Sequence, residues 1–129
     1  LESQEDVTDK GGTMRLGAYA CRLIEGTKAA EVYGRDMIFE RHRHRWEYNN
    51  AYRDRLEKAG LVSAGIHEKE DLVEVVEVQE HPFYIGAQYH PEFKSKPLAP
   101  HPLFTAFIGA ALTFQATPAT ADAVAKIEN

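Results

Sequence analysis

Phe83-Tyr84-Ile85-Gly86-Ala87-Gln88-Tyr89-His90-Pro91-Glu92-Phe93 is the stretch on which the reading of this chain turns. Its first five residues are aromatic, branched or small, the composition of a strand buried on both faces. In open α/β sheets, ligands sit beyond the carboxyl ends of such strands. His90 and Glu92 follow at that end, with Pro91 between them. An imidazole followed two residues on by a carboxylate suits a general base held in one tautomer by an acid. The same spacing also describes an ordinary turn histidine beside a solvated glutamate, because His-x-Glu is short and common.

Working outward, a proline-rich loop follows Phe93 as far as His101. Pro102 suits the first position of a helix over 103–112, with Leu103, Phe104, Phe107, Ile108 and Ala111 as its buried stripe. The Ala- and Thr-rich remainder, 113–129, reads as a mobile tail with one short helix near 121–127. Upstream, 61–66 and 72–78 read as the strands of a hairpin joined by the charged link His67-Glu68-Lys69-Glu70-Asp71. Glu74 and Glu77 interrupt its second strand. Both read as solvent-facing, one of them displaced by a bulge or the strand end. A helix over 51–59 is capped by Asn50, carries Tyr52, Leu56 and Ala59 on its apolar side, and stops at Gly60. Thr27 caps a short helix through Tyr33 that Gly34 ends. Strands are expected over 13–24, after Gly11-Gly12, and from Met37 onward. Residues 1–12 form a polar leader. Strands and helices alternate around one inserted hairpin, so the class is α/β.

The sequence has 129 residues, 43% of them hydrophobic and 27% charged. That is the size and balance of one globular domain. The net charge of −5 argues against general affinity for nucleic acid or an anionic membrane. No apolar stretch is long enough to span a bilayer. One cysteine excludes an internal disulfide and fits a reducing compartment such as the cytoplasm.

Three groupings could carry further chemistry. Cys21 lies mid-strand between Tyr19 and Leu23, without the small flanking residues of a strand-to-helix nucleophile turn, and reads as structural. In Arg41-His42-Arg43-His44-Arg45, an extended chain puts the arginines on one face and the histidines on the other. The run can be a solvated edge, an anion site using bidentate guanidinium groups, or half of a metal site built on His42 and His44. A helix signature follows at once where a metal barrel would need more strands, so no metal is expected. His67, His81 and His101 lie in turns and are expected at the surface.

Four segments carry a resemblance to a known family. They are Gly11-Gly12-Thr13-Met14-Arg15-Leu16-Gly17, Glu40-Arg41-His42-Arg43-His44-Arg45-Trp46-Glu47-Tyr48-Asn49, Tyr89-His90-Pro91-Glu92-Phe93 and His101-Pro102-Leu103-Phe104. In that order they resemble the closing part of the glutaminase domain of the CTP synthase family, a class I glutamine amidotransferase. The resemblance covers about 11–112 and implies part of a three-layer open sheet of flavodoxin-like type, its domain half spanning 13–112. The family makes CTP from UTP, using ATP with Mg2+ and ammonia released from glutamine. By resemblance, His90 is the base that activates a cysteine thiol and protonates departing ammonia, and Glu92 orients it. Arg45 and the backbone of Trp46 match positions that hold the backbone groups of glutamine. Family members often carry Tyr or Phe where Trp46 stands.

The nucleophile elbow, the oxyanion-hole glycines and the synthase domain with its nucleotide sites have no counterpart in this sequence. The resemblance therefore implies a fragment that binds no cofactor itself and is inactive alone. Its partners would be glutamine, the first half of the glutaminase domain and the synthase domain of a homotetrameric cytoplasmic parent. A non-catalytic module that binds amino-acid carboxylates through Arg45 is the alternative.

Overall fold

The computed structural model describes residues 14–116. In chain order they form β1 (Arg15–Leu23), α1 (Lys28–Tyr33), β2 (Met37–His44), a 3-10 turn (Asn50–Tyr52) and α2 (Arg53–Lys58). There follow β3 (Leu61–His67), β4 (Leu72–Val78), β5 (Ile85–Ala87), a second 3-10 turn (Pro91–Phe93) and α3 (Pro102–Ala116). The strands form one sheet in the order β2-β1-β3-β4-β5. Every neighbouring pair among them is antiparallel.

The sheet has two firmly paired halves and a narrow join. β1 and β2 pair along nearly their whole length, from Arg15 opposite His44 to Arg22 opposite Met37. The expected hairpin of β3 and β4 pairs from Leu61 opposite Val78 to His67 opposite Leu72. Between the halves only Arg22–Ile66 and Leu23–Gly65 are paired, and β3 shifts register on both sides of Gly65. Such irregularities bend a strand and increase its twist. The bend is large enough for His42 on β2 to meet Glu74 on β4 at 2.7 Å, although two strands separate them in the sheet.

The hollow side holds the core, in which Cys21, Leu23, Ala29, Ile38, Ala64, Val75, Tyr89 and Leu103 form one cluster. α1 lies over it, and its ends follow from the sequence. Thr27 Oγ1 accepts from the Ala30 N–H at 3.2 Å, and Gly34 closes the helix in the left-handed conformation at φ 62°. The remaining first-turn donors are met from the sheet. The two carboxylate oxygens of Glu77 accept from the N–H groups of Lys28 and Ala29, each at 3.0 Å. A carboxylate at a helix start satisfies otherwise orphaned donors and suits the helix dipole.

Several expectations are corrected. Glu74 and Glu77 are both buried, at 1% and 2% exposure. An odd spacing sends them to opposite sides of β4, and each side offers partners: Arg15 and His42 for Glu74, the start of α1 for Glu77. The strand expected over 83–87 is only Ile85–Ala87, lies at the sheet edge and is not buried on both faces, since Tyr84 and Ala87 are exposed. His101 is buried. α2 begins at Arg53, behind a 3-10 turn capped by Asn49 and not Asn50, and none of its residues is fully buried. On α3 only Leu103 of the expected stripe is buried, while Phe104, Phe107, Ile108 and Ala111 are exposed. That helix also continues to Ala116, past the point where a tail was expected. The leader over 1–12, the glycine pair at 11–12, the rest of the tail and its helix near 121–127 lie outside the described residues.

Candidate active site

The short turn after β5 brings His90 and Glu92 together. Gln88 continues the pairing of β5, its N–H donating to Glu74 O at 2.9 Å. Tyr89 then points into the core, where its hydroxyl lies 3.0 Å from that of Tyr33. His90 is extended, at φ −109° and ψ 91°, as a residue before proline prefers. Its own N–H donates to Arg41 O on β2 at 2.9 Å. Pro91 starts the 3-10 turn, closed by bonds from Phe93 N–H to His90 O and from Lys94 N–H to Pro91 O, each at 3.1 Å.

That single turn folds Glu92 back onto the imidazole, with Nδ1 of His90 and Oε1 of Glu92 2.7 Å apart. A carboxylate only accepts, so Nδ1–H donates and Nε2 is left as the basic nitrogen. The hydrogen bond from His90 is the main cause holding the Glu92 carboxyl below its ordinary value. The Phe93 ring stacks on the imidazole at 4.9 Å and 22°. Both His90 and Glu92 remain accessible, with side-chain exposures of 36% and 55%. The pair therefore has the nucleophile-facing half of base-and-orienter geometry.

The stretch after β2 comes to the same turn. Gln88 Nε2 donates to Trp46 O at 3.3 Å, so the Trp46 main chain sits beside the residues leading into His90. The indole itself is 86% exposed. Arg45 occupies the bend beyond His44, and among the described residues its guanidinium makes no hydrogen bond or ion pair. Arg41 and Arg43 face outward and His42 inward, as the alternation predicts.

The network beneath this stretch was not foreseen. Arg15 Nη1 donates to Glu74 and, at 3.1 Å, to Glu47, and its guanidinium lies over the Tyr19 ring. Glu47 Oε1 also accepts from His44 Nε2 at 2.9 Å. His42 donates to Glu40 O at 2.9 Å and to Glu74 at 2.7 Å, so both its nitrogens are engaged. Burial pushes the Glu74 carboxyl up, but the hydrogen bonds and charges of His42 and Arg15 outweigh it and leave the group below its ordinary value. The sequence signal for this network is the strict alternation of Glu40, His42 and His44 with outward arginines. Such alternation marks a buried polar face once a partner strand carries carboxylates.

Cys21 belongs to the core and not to the site. It is fully buried, and burial first, then the Glu74 and Glu40 charges, pushes its thiol up to about 12. A thiol in that state is inert. Among the described residues no group of three or more His, Cys, Asp or Glu side chains is arranged to hold a metal ion.

A family model for glutamine amidotransferase class-I matches residues 1–110. The chain belongs to the class I glutamine amidotransferases. Among the members of this family, it is 61% identical over 112 residues to a CTP synthase of Geobacter sulfurreducens and 60% identical over 112 residues to one of Pelobacter propionicus. Each match takes in 87% of this chain and 21% of the relative, so the chain spans about a fifth of the length of those proteins. In three dimensions it is similar to the glutaminase domain of Trypanosoma brucei CTP synthase solved with bound acivicin. The TM-score is 0.76 at 36% identity, over 84% of this chain and 43% of that one. The α/β fold is thus that of a class I amidotransferase, and the four sequence segments identify its closing part. Among the described residues no helix is long and apolar enough to cross a membrane.

Proposed function

We propose that this chain is the base-bearing part of the glutaminase domain of a CTP synthase. The supporting observation is the 2.7 Å contact between His90 Nδ1 and Glu92, on a turn whose sequence matches the amidotransferases. His90 Nε2 takes the proton of a cysteine thiol supplied by a preceding part of the domain. The thiolate attacks the side-chain amide carbon of glutamine, and the imidazolium returns the proton to the departing ammonia. Water, with His90 again as base, releases glutamate from the acyl-enzyme. Glu92 holds the ring through Nδ1–H. Arg45, whose guanidinium has no partner among the described residues, binds the α-carboxylate of glutamine, and the Trp46 main chain holds its other backbone group.

The ammonia serves CTP formation from UTP in a synthase domain that binds ATP and Mg2+, in a homotetrameric cytoplasmic parent. This chain holds no cofactor of its own and does not turn over glutamine alone. Its one thiol is buried in the core, and loss of a nucleophile leaves only residual catalysis.

The test is a fusion in which residues 11–129 follow the preceding part of the Geobacter sulfurreducens CTP synthase. Glutamine-supported CTP formation is expected, with His90→Ala lowering it at least about 100-fold. CTP formation from added ammonium chloride bypasses the glutaminase and should be unchanged. Glutamine turnover by the isolated chain, or a fusion indifferent to His90→Ala, would refute the reading.

A further inference from the structure

The turn that carries His90 and Glu92 is exposed, and beyond the buried Tyr89 that precedes it, contacts with the sheet must fix how it sits. Three groups on β2 do so. Arg41 O accepts from the His90 N–H at 2.9 Å. At the other end of the turn, Lys94 Nζ reaches past the strand edge, donating to Phe39 O at 2.7 Å and to Glu40 Oε1 at 3.1 Å. Glu40 points the other way from Phe39 and Arg41 and is 1% exposed. Its Oε1 also lies 3.1 Å from His101 Nε2 and 3.3 Å from the Tyr33 hydroxyl. Leu103 N–H donates to His101 Nδ1 at 3.3 Å, so that ring presents Nε2–H to Glu40. Among the described residues Lys94 is the one permanent cation in contact with this carboxylate.

We propose that Glu40 is a positioning residue for His90, acting through Lys94 to fix the turn that carries the base and its orienting carboxylate. The inference rests on the proposed role of His90. A buried carboxylate is expensive to desolvate, and an apolar residue would fill the same volume at less cost. Here the charge does what an apolar side chain cannot. It gives Lys94 a directional partner, and through His101 and Tyr33 it refers that partner to α1 and to the start of α3. Among the described residues, removing Lys94 leaves the His90 N–H as the turn's one hydrogen bond to β2, with Tyr89 as its remaining anchor. The imidazole keeps Glu92, since both ride on the turn, but the pair loses its register against substrate held by the 45–46 stretch. Small displacements of a catalytic group lower turnover more than binding.

The fusion described above tests this. Lys94→Met removes the cation from a half-exposed position, and Glu40→Gln removes the charge with little change of shape. Each is expected to lower kcat for glutamine-supported CTP formation about tenfold, with KM for glutamine within about twofold. The ammonia-supported rate should be unchanged, and Lys94→Arg should recover part of the loss. Adding Glu40→Gln to Lys94→Met should cost little more than Lys94→Met alone, because the contact between the two is already broken. A kcat within about twofold of the parent for both single variants, or an equal loss of the ammonia-supported rate, overturns the inference. If the parent fusion does not depend on His90, the proposed function itself fails, a result separable from the other two.

Discussion

Glu74 shows how much of this molecule depends on single charged groups. Its buried carboxylate receives Arg15 and His42. These donors come from β1 and β2, the half of the sheet away from β4, so the contact closes the bend between the two halves. Breaking a buried pair by removing one partner leaves the other charge unmatched, and typically costs about 3–5 kcal/mol. That is a large share of a domain's stability. The folded carboxyl titrates below its ordinary 4.5. Its stabilisation is therefore complete above that value and is lost as the pH falls from it toward the folded value. Urea unfolding of this chain should show a midpoint that drops as the pH is taken below ~4.5, where this contribution is lost. Glu74→Gln should lower the midpoint at neutral pH and weaken its further fall on acidification. An unchanged pH slope in the variant would rule out Glu74 as the source.

At the scale of elements, the join between β1 and β3 is the weak place and Gly65 is its hinge. A Cβ built there would meet Cys21 Sγ at 2.7 Å and Val75 Cγ2 at 2.9 Å. Those are a fully buried sulfur and a fully buried valine, so neither can move aside cheaply. Gly65→Ala should destabilise by about 1–3 kcal/mol through overpacking, and Cys21→Ala in the same chain should restore part of that loss by making room. Thermal melts of the three variants decide this. No recovery in the double variant would place the strain on Val75 instead. None of this was legible from the chain alone, where Gly65 is one small residue in a strand. What could be read was local. The caps of α1, the β3–β4 hairpin and the approach of Glu92 to His90 across one proline all depend on neighbours in sequence. The burial of Glu74, Glu77 and His101 depends on partners dozens of residues away, and no periodicity encodes those. The stretch over 83–87 failed as a doubly buried strand for the same reason, since apolar composition does not say which position in a sheet a strand will take.

α3 poses the same question for the whole molecule. Its sequence has the apolar side of a core helix, yet only Leu103 is covered, and Phe104, Phe107, Ile108, Leu112 and Phe114 are exposed. Phe83 leans against Phe107 at 5.8 Å, which extends the apolar surface back to the segment before β5. Elsewhere, Leu16 and Phe39 are uncovered on the outer face of the first two strands. Monomeric proteins seldom leave contiguous apolar surface of this kind open, and burying such side chains is worth about 1.5–3 kcal/mol each. The isolated chain should therefore self-associate at modest concentration and melt with low cooperativity. Replacing Phe107 and Ile108 by Glu and Lys removes apolar surface without touching Leu103 or the site. It should shift sedimentation toward the monomer while leaving the circular dichroism unchanged. A parent chain that sediments as a monomer and melts sharply would show that α3 is content in water, and that its apolar side is not an interface awaiting cover.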